Sequence, residues 1–384
     1  PFFSRLPVRV TAVALLLGVL VLPLLTEIRR RAVEQLIFDG AEKQALVATA
    51  AVVAEINAVQ QTVERLLRYV AADLESRGEV TPQAIDQVLR NMMAVGPNLA
   101  GCTVCFEPQG LNAATERFGP HLRRTSSGVA VADLAAPDEQ YWTKEWYRDA
   151  LQAKNVVWSE PFRDGTVAKK NLVWAAMPYF RTINGRRVVV GVVASAIELN
   201  WLKQVALRHL PFETGFVMIF SRSGRLLLHP REELIIAETM DSLAKSTNTP
   251  ELAQIRQQVL AKRQGALAYF SGALNKRVRV NYKPSWGSRG GGVVVGFEEA
   301  EFTGALSKFR TITALSLAAT LTAFIAIVAG ASYFVLRPLG QLAQAAEQVA
   351  AGDLDGRLPA VRRNDEVGRL TRVIAALRDK LRAK

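Results

Sequence analysis

Cys102 and Cys105 carry the one spacing in this sequence that points to redox or metal chemistry, within Leu99-Ala-Gly-Cys-Thr-Val-Cys-Phe106. A C-x-x-C pair can be a dithiol centre or half of a metal site. Here the neighbours are strand formers, and strand residues three apart point to opposite faces. Two buried strand cysteines is the reading that fits. No second cysteine pair completes a zinc site, and His121, His209 and His229 are scattered along the chain. Gly290-Gly291-Gly292 lacks the Lys-Ser/Thr of a phosphate loop and reads as a flexible hairpin before a strand at Val293–Val295. Asp353, Asp355, Asp365 and Glu366 look structural. With no Gly-x-Ser-x-Gly elbow and no histidine in a phosphoacceptor helix, no catalytic residue, metal or cofactor is assigned within these 384 residues.

The net charge of +13 raises nucleic acid as a partner. Its distribution argues otherwise. The basic residues gather at Arg29–Arg31, at Arg123–Arg124 and through Arg357–Lys384, and the first and last groups adjoin apolar runs where lipid headgroups are the simpler partner. No zinc-finger spacing or basic-aromatic repeat supports nucleic-acid binding. A hydrophobic fraction of 49% fits a few membrane spans attached to a globular domain.

Two runs are long enough to span a bilayer. Val8–Leu25 is almost wholly apolar and flanked by Arg5, Arg9 and Arg29–Arg31, with no signal-cleavage site after it. Thr311–Leu336 carries no charge and places small residues four apart at Ala319/Ala323 and Ala326/Gly330. An even number of spans puts both termini on one side. The basic flanks favour the cytoplasm, although Arg29–Arg31 then lies outside against the local rule. The expected division is residues 1–7 cytoplasmic, 8–25 span, 26–310 extracytoplasmic, 311–336 span and 337–384 cytoplasmic. The chain starts without Met and stops where an output domain would follow, so it is expected to be a fragment.

Within the extracytoplasmic part, Val52, Ile56, Val59, Val63, Leu66 and Val70 predict a long helix over 26–76 whose stripe packs either on a partner helix or on its own domain. Thr81-Pro82 opens a second helix and Gly96-Pro97 stops it. Strand patterns follow at Leu99–Glu107, Gly128–Leu134, Asn171–Arg181 and Arg187–Ile197, with a hairpin turn at Asn184-Gly185. Among them lie a helix at Thr143–Ala153 and a loop at Val157–Asp164. The scheme begins again after Pro211, with strands at Gly215–Phe220, Arg225–His229, Ala266–Phe270, Arg277–Tyr282 and Gly292–Phe297 and a helix at Pro250–Lys262. The fold class is α+β: two antiparallel modules, 82–210 and 211–300, hung on one long helix.

A long helix after a first span, followed by two PAS-like modules, resembles the double Cache (dCache) sensors. Trp146-Tyr147-Arg-Asp-Ala-Leu, Trp158-Ser-Glu-Pro-Phe162-Arg-Asp164 and the strand Arg187–Ile197 carry the resemblance to the membrane-distal module. It implies a small-molecule ligand held between the central sheet and the Trp-Tyr segment, with Lys144, Trp146, Tyr147, Trp158, Phe162, Asp164, Trp174, Met177 and Ser195 as ligand-binding candidates. Members that bind amino acids have an Arg, a Tyr and an Asp where this chain has Lys144, Phe162 and Ala196. Without that Asp nothing pairs a ligand ammonium, and Lys144 keeps one cation, so a small carboxylate is the expected ligand.

Beyond the second run, Arg337-Pro338-Leu339 opens a helix with Leu342, Ala346 and Val349 at helical spacing, ended by Gly352. A connector with Leu354, Leu358 and Val361 leads to Asp365-Glu366-Val367-Gly368, which opens a second helix with Leu370, Ile374, Leu377 and Leu381. This pattern closely resembles a HAMP domain. The resemblance implies a parallel four-helix bundle in a homodimer, with Pro338, Leu342, Glu366, Leu370 and Leu377 as relay residues. It also implies a multi-pass receptor in the bacterial inner membrane that signals to a cytoplasmic partner. The sensor is similar to those of RsbU/SpoIIE-class serine phosphatases, which makes a metal-dependent serine/threonine phosphatase the expected output. A chemoreceptor, histidine kinase or diguanylate cyclase is the alternative.

Overall fold

The structure is a computed structural model that describes residues 6–77, 80–96, 98–112, 114–153, 155–163, 170–285, 290–331, 333–334, 337–353 and 366–382, without the side chains of 6–12 and 303–305. Asp164 and the connector residues Leu354, Leu358, Val361 and Asp365 lie outside the described residues. The chain forms two compact units, Asp39–Glu301 and a second made of Pro1–Phe38 with Phe302–Lys384.

Helix α1, Leu6–Ser76, runs without a break from the first apolar run into the sensor. Its stripe is buried at Val52, Ile56, Val63, Leu67, Val70 and Leu74, so it packs on its own domain. Leu67 takes the inward place expected of Leu66, because the helical phase drifts from a strict 4-3 repeat. Helix α2, Pro82–Val95, starts on Thr81, whose Oγ1 accepts from Ala84 N at 3.2 Å. It ends on Arg124, whose guanidinium donates to the Met93 and Leu99 carbonyls at 2.8 and 3.1 Å.

The distal module is an antiparallel sheet of β1 Leu99–Phe106, β2 Pro120–Thr125, β3 Gly128–Asp133, β4 Val157–Trp158, β5 Phe162–Arg163, β6 Asn171–Ile183 and β7 Arg186–Glu198. The order is β3-β2-β1-β7-β6-β4, with β5 also on β6. Helix α3, Glu145–Gln152, precedes β4. The β6–β7 hairpin turns at Asn184 and Gly185, φ 50° and 76°, the left-handed pair that a two-residue hairpin requires. Strand β2 lay outside the sequence expectation, and the expected loop at Val157–Asp164 contains the short β4 and β5.

One sheet face joins α1 and α2 through Leu99, Cys102, Val104, Leu122, Val173, Ala175, Val193 and Ile197. The opposite face carries Cys105, Leu172, Trp174, Ala176, Ala194 and Ala196 under α3. Cys102 and Cys105 are therefore buried on opposite faces and both are free thiols. Burial pushes the Cys102 thiol up to about 12.

Helix α4, Asn200–His209, leads into the proximal module and is tied to α1, with Arg208 and His209 both on the Glu55 carboxylate. That module has β8 Phe216–Phe220, β9 Leu226–Leu228, α5 Met240–Ser246, α6 Pro250–Leu260, β10 Gly265–Ser271, β11 Lys276–Ser285 and β12 Gly291–Glu298. Its strands run β10-β11-β12-β8-β9, one face on α5 and α6 and the other, through Val217, Ile219, Val293 and Val295, toward the α1 core. Helix α7, Ala300–Ala331, is the one helix among the described residues long and apolar enough to cross a membrane. The other expected span, Val8–Leu25, falls in the first turns of α1, where Val13, Leu16, Leu17, Leu20 and Leu24 are exposed. Two further helices follow, α8, Arg337–Ala350, and α9, Glu366–Arg382.

His229, just after β9, is 4% exposed, and its Nδ1 accepts from Arg231 N at 3.0 Å. Desolvation lowers its pKa from 6.5 to about 4. The fold thus binds fewer protons than the unfolded chain below pH 6.5. Its contribution is complete above that pH and is lost as pH falls toward 4, by at most about 3 kcal/mol. Thermal melts should lose stability across that window, and His229→Asn should flatten the loss. Parallel curves for the two proteins would contradict the burial of a neutral imidazole.

Candidate functional site

The face of the distal sheet turned away from α1 is floored by small residues. Ala100, Gly101, Ala132 and Ala196 line a cavity of about 620 Å³. Gly101 is required there, since an added Cβ would sit 2.6 Å from the His121 ring and 2.8 Å from the Leu122 carbonyl. The walls are aromatic. Trp146 on α3 stacks on Trp174 on β6 at 4.8 Å and 20°, and the His121 ring lies 5.7 Å from Trp174. Behind them the Tyr141 hydroxyl donates to the Phe106 carbonyl, and Tyr147 donates to Glu107 Oε1 at 2.6 Å. Burial raises both phenols, so they stay protonated and hold the Tyr141–Tyr147 segment against β1.

The polar lining is dominated by cations: Arg123, Arg124, Lys144, Arg163, Lys170 and Arg225 against Glu139, Glu145 and Glu160. Several are already engaged. Lys170 Nζ sits 2.7 Å from Glu198, Lys144 Nζ sits 3.8 Å from Glu139, and Arg124 holds the end of α2. Glu160 accepts from Ser221 Oγ and Ser223 Oγ at 2.5 and 2.7 Å. Arg123 Nε differs, being buried with no hydrogen-bond partner. A buried N–H left in that state costs about 1–3 kcal/mol.

Of the residues expected from sequence, Lys144, Trp146, Phe162 and Trp174 line this cavity, as does Ala196. Trp158, Met177 and Ser195 do not, and the reason is strand parity. Trp158 and Ser195 both pair with Ala175, on the face toward α1. Trp158 Nε1 donates to Glu64 on α1 at 3.0 Å. Met177 stands three residues from Trp174 on one strand and packs with that same α1 core. Ser195 is fully buried, facing Cys102 across the β1–β7 pair. Tyr147 is buried behind the wall, and Asp164 lies outside the described residues. The sequence reading missed His121, Arg123, Ser159, Glu160 and Arg225. The alternation His121-Leu122-Arg123, with Leu122 in the α1 core, was the available signal for the first two.

The residues expected to form a relay lie on α8 and α9. Leu342 is buried with Ala345 and Val349, whereas α9 turns Gly368 and Thr371 inward. Leu370 and Leu377 are 45% and 54% exposed, on a face that α8 does not cover. Pro338 stands in the first turn of α8, and Glu366 begins α9.

The sequence matches the Cache domain family (dCache) over residues 29–325 and the HAMP domain family over 331–383. A curated relative is the methyl-accepting chemotaxis protein McpG of Pseudomonas putida, 26% identical over 166 residues, 42% of this chain and 25% of the relative. The match thus spans a quarter of that protein's length. The fold is similar to the periplasmic sensory domain of the Campylobacter jejuni chemoreceptor Tlp1, with TM-score 0.58 at 12% identity over 69% of this chain and 97% of that one. It is also similar to the extracellular domain of mmHK1S-Z3, described as a histidine kinase, with TM-score 0.57 at 18% identity over 71% and 97% of the two chains. The chain belongs to the double Cache family and carries a HAMP domain directly after its Cache domain, the organisation of a sensory receptor.

Proposed function

We propose that this chain is the sensing and relay part of a homodimeric receptor in the bacterial inner membrane, and that its distal cavity binds a small anion, most simply a carboxylate. Arg123 carries the ligand class: a guanidinium Nε buried in an aromatic-walled cavity with no acceptor, which an anion would supply. Lys144, Phe162 and Ala196 all reach this cavity, and Ala196 offers no carboxylate to a ligand ammonium. That composition favours a simple carboxylate over an amino acid.

Two membrane spans belong to the same reading. Val13, Leu16, Leu20, Leu24 and Leu25 are exposed on α1, and Gly18 lies buried against the Phe324 ring of α7, where an added methyl would overlap it. Small residues at such crossings let helices pack in lipid. Arg30 is held between Glu27 and Glu34 at 2.6 and 2.5 Å, which offsets the basic triplet's pull toward the cytoplasm. The uncovered apolar face of α9 favours a second HAMP copy as its cover. For the output, the relatives favour a chemoreceptor or a histidine kinase, and none of those named above supports the phosphatase expected from sequence.

Thermal-shift measurements on the detergent-solubilised chain should find short mono- or dicarboxylates that raise its melting temperature by several degrees, as ligand linkage requires. Arg123→Ala and Lys144→Ala should each remove most of the shift. Stabilisation by neutral solutes alone, or a carboxylate shift that survives Arg123→Ala, would refute the anion reading. In membranes, a cysteine at Leu370 or Leu377 should crosslink two chains by disulfide, and one at Arg372 should not. Equal crosslinking at all three would contradict the paired α9 face.

A further inference from the structure

The cavity is not built by the distal module alone. Arg225 follows the Ser223-Gly224 turn and leads into β9, in the proximal module, yet it lines the same cavity as Arg123. Its Nη1 donates to the Ile236 carbonyl at 3.1 Å, which anchors the guanidinium on its own module. Its Nε is buried and has no hydrogen-bond partner. Beside it the modules are already bridged by a carboxylate from the chain itself, Glu160, which also accepts from Ser223 N at 3.3 Å. Two guanidinium groups, on different modules, thus line one cavity, each with a buried Nε–H that meets no acceptor. Like charges that share a cavity repel. A single-ended anion answers one of them. An anion with two ends answers both.

We propose that the occupant is a small dianion whose one end is taken by Arg123 on β2 and whose other end is taken by Arg225 ahead of β9, so that the ligand itself ties the distal module to the proximal one. The proposal rests on the anionic reading of the cavity and adds to it both a ligand class and a binding residue. It also gives occupancy a direct route to the module that leads into α7. A ligand held by both modules favours whichever arrangement of the two brings the guanidinium groups to its span.

Isothermal titration of the full chain in nanodiscs tests this, using malonate, succinate, glutarate and adipate against monocarboxylates of matching length. At least one diacid should bind ten-fold or more tighter than its monoacid. Arg225→Gln should lower that diacid's affinity at least ten-fold and erase the preference, with Arg225→Lys recovering part of it. The unliganded melting temperature of each variant separates lost binding from lost folding. A diacid preference that survives Arg225→Gln in a folded protein overturns the proposal, as does equal binding of diacids and monoacids. Binding that needs Arg123 and ignores Arg225 defeats this inference and leaves the anionic cavity standing. If no carboxylate binds the folded chain, both fail.

Discussion

A β-strand has two faces, and the distal sheet commits each to a different task. The face with Cys102, Val104, Leu122, Ala175 and Ile197 is packed on α1 and α2. The face with Gly101, Trp174 and Ala196 borders the cavity. The cavity of the distal module and its packing on α1 both follow from that division. A close-packed layer transmits displacement because it cannot absorb it in voids. A change at the cavity face therefore presses on the same sheet that carries the α1 contacts, including that of Trp158 on β4 with Glu64.

Much of this was legible in the sequence, and the failures have a common physical cause. The α1 stripe, the Thr81-Pro82 start, the Asn184-Gly185 turn and the opposed cysteines follow from local periodicity and turn chemistry, which need no tertiary knowledge. Lys144, Trp146, Phe162 and Trp174 were found through resemblance and do share one cavity. The same resemblance implied Trp158, Met177 and Ser195, and strand parity places them on the other face. Arg123 was visible only as half of a basic pair, because β2 is short and mixes His121 and Arg123 with a single core Leu122. Arg225 could not be found by local reading. It lies 102 positions from Arg123 by number, and only the packing of two modules brings both to one space.

The HAMP helices show the opposite condition, an apolar face left open by the described residues. Helix α8 buries Leu342, Ala345 and Val349, while α9 exposes Val373 and Leu377. Exposed leucines at helical spacing are costly in water unless another helix covers them. The sensor buries the α1 stripe inside its own domain, whereas α9 keeps apolar side chains exposed among the described residues.

Hydrogen–deuterium exchange on the full chain in nanodiscs, with and without succinate, tests the central claim that an anion occupies the distal cavity. Exchange should slow in the segments bearing the wall and the cations, 120–125, 141–147 and 159–163, and should stay unchanged along β10. Protection confined to the proximal module, with the distal segments unaltered, would contradict the account.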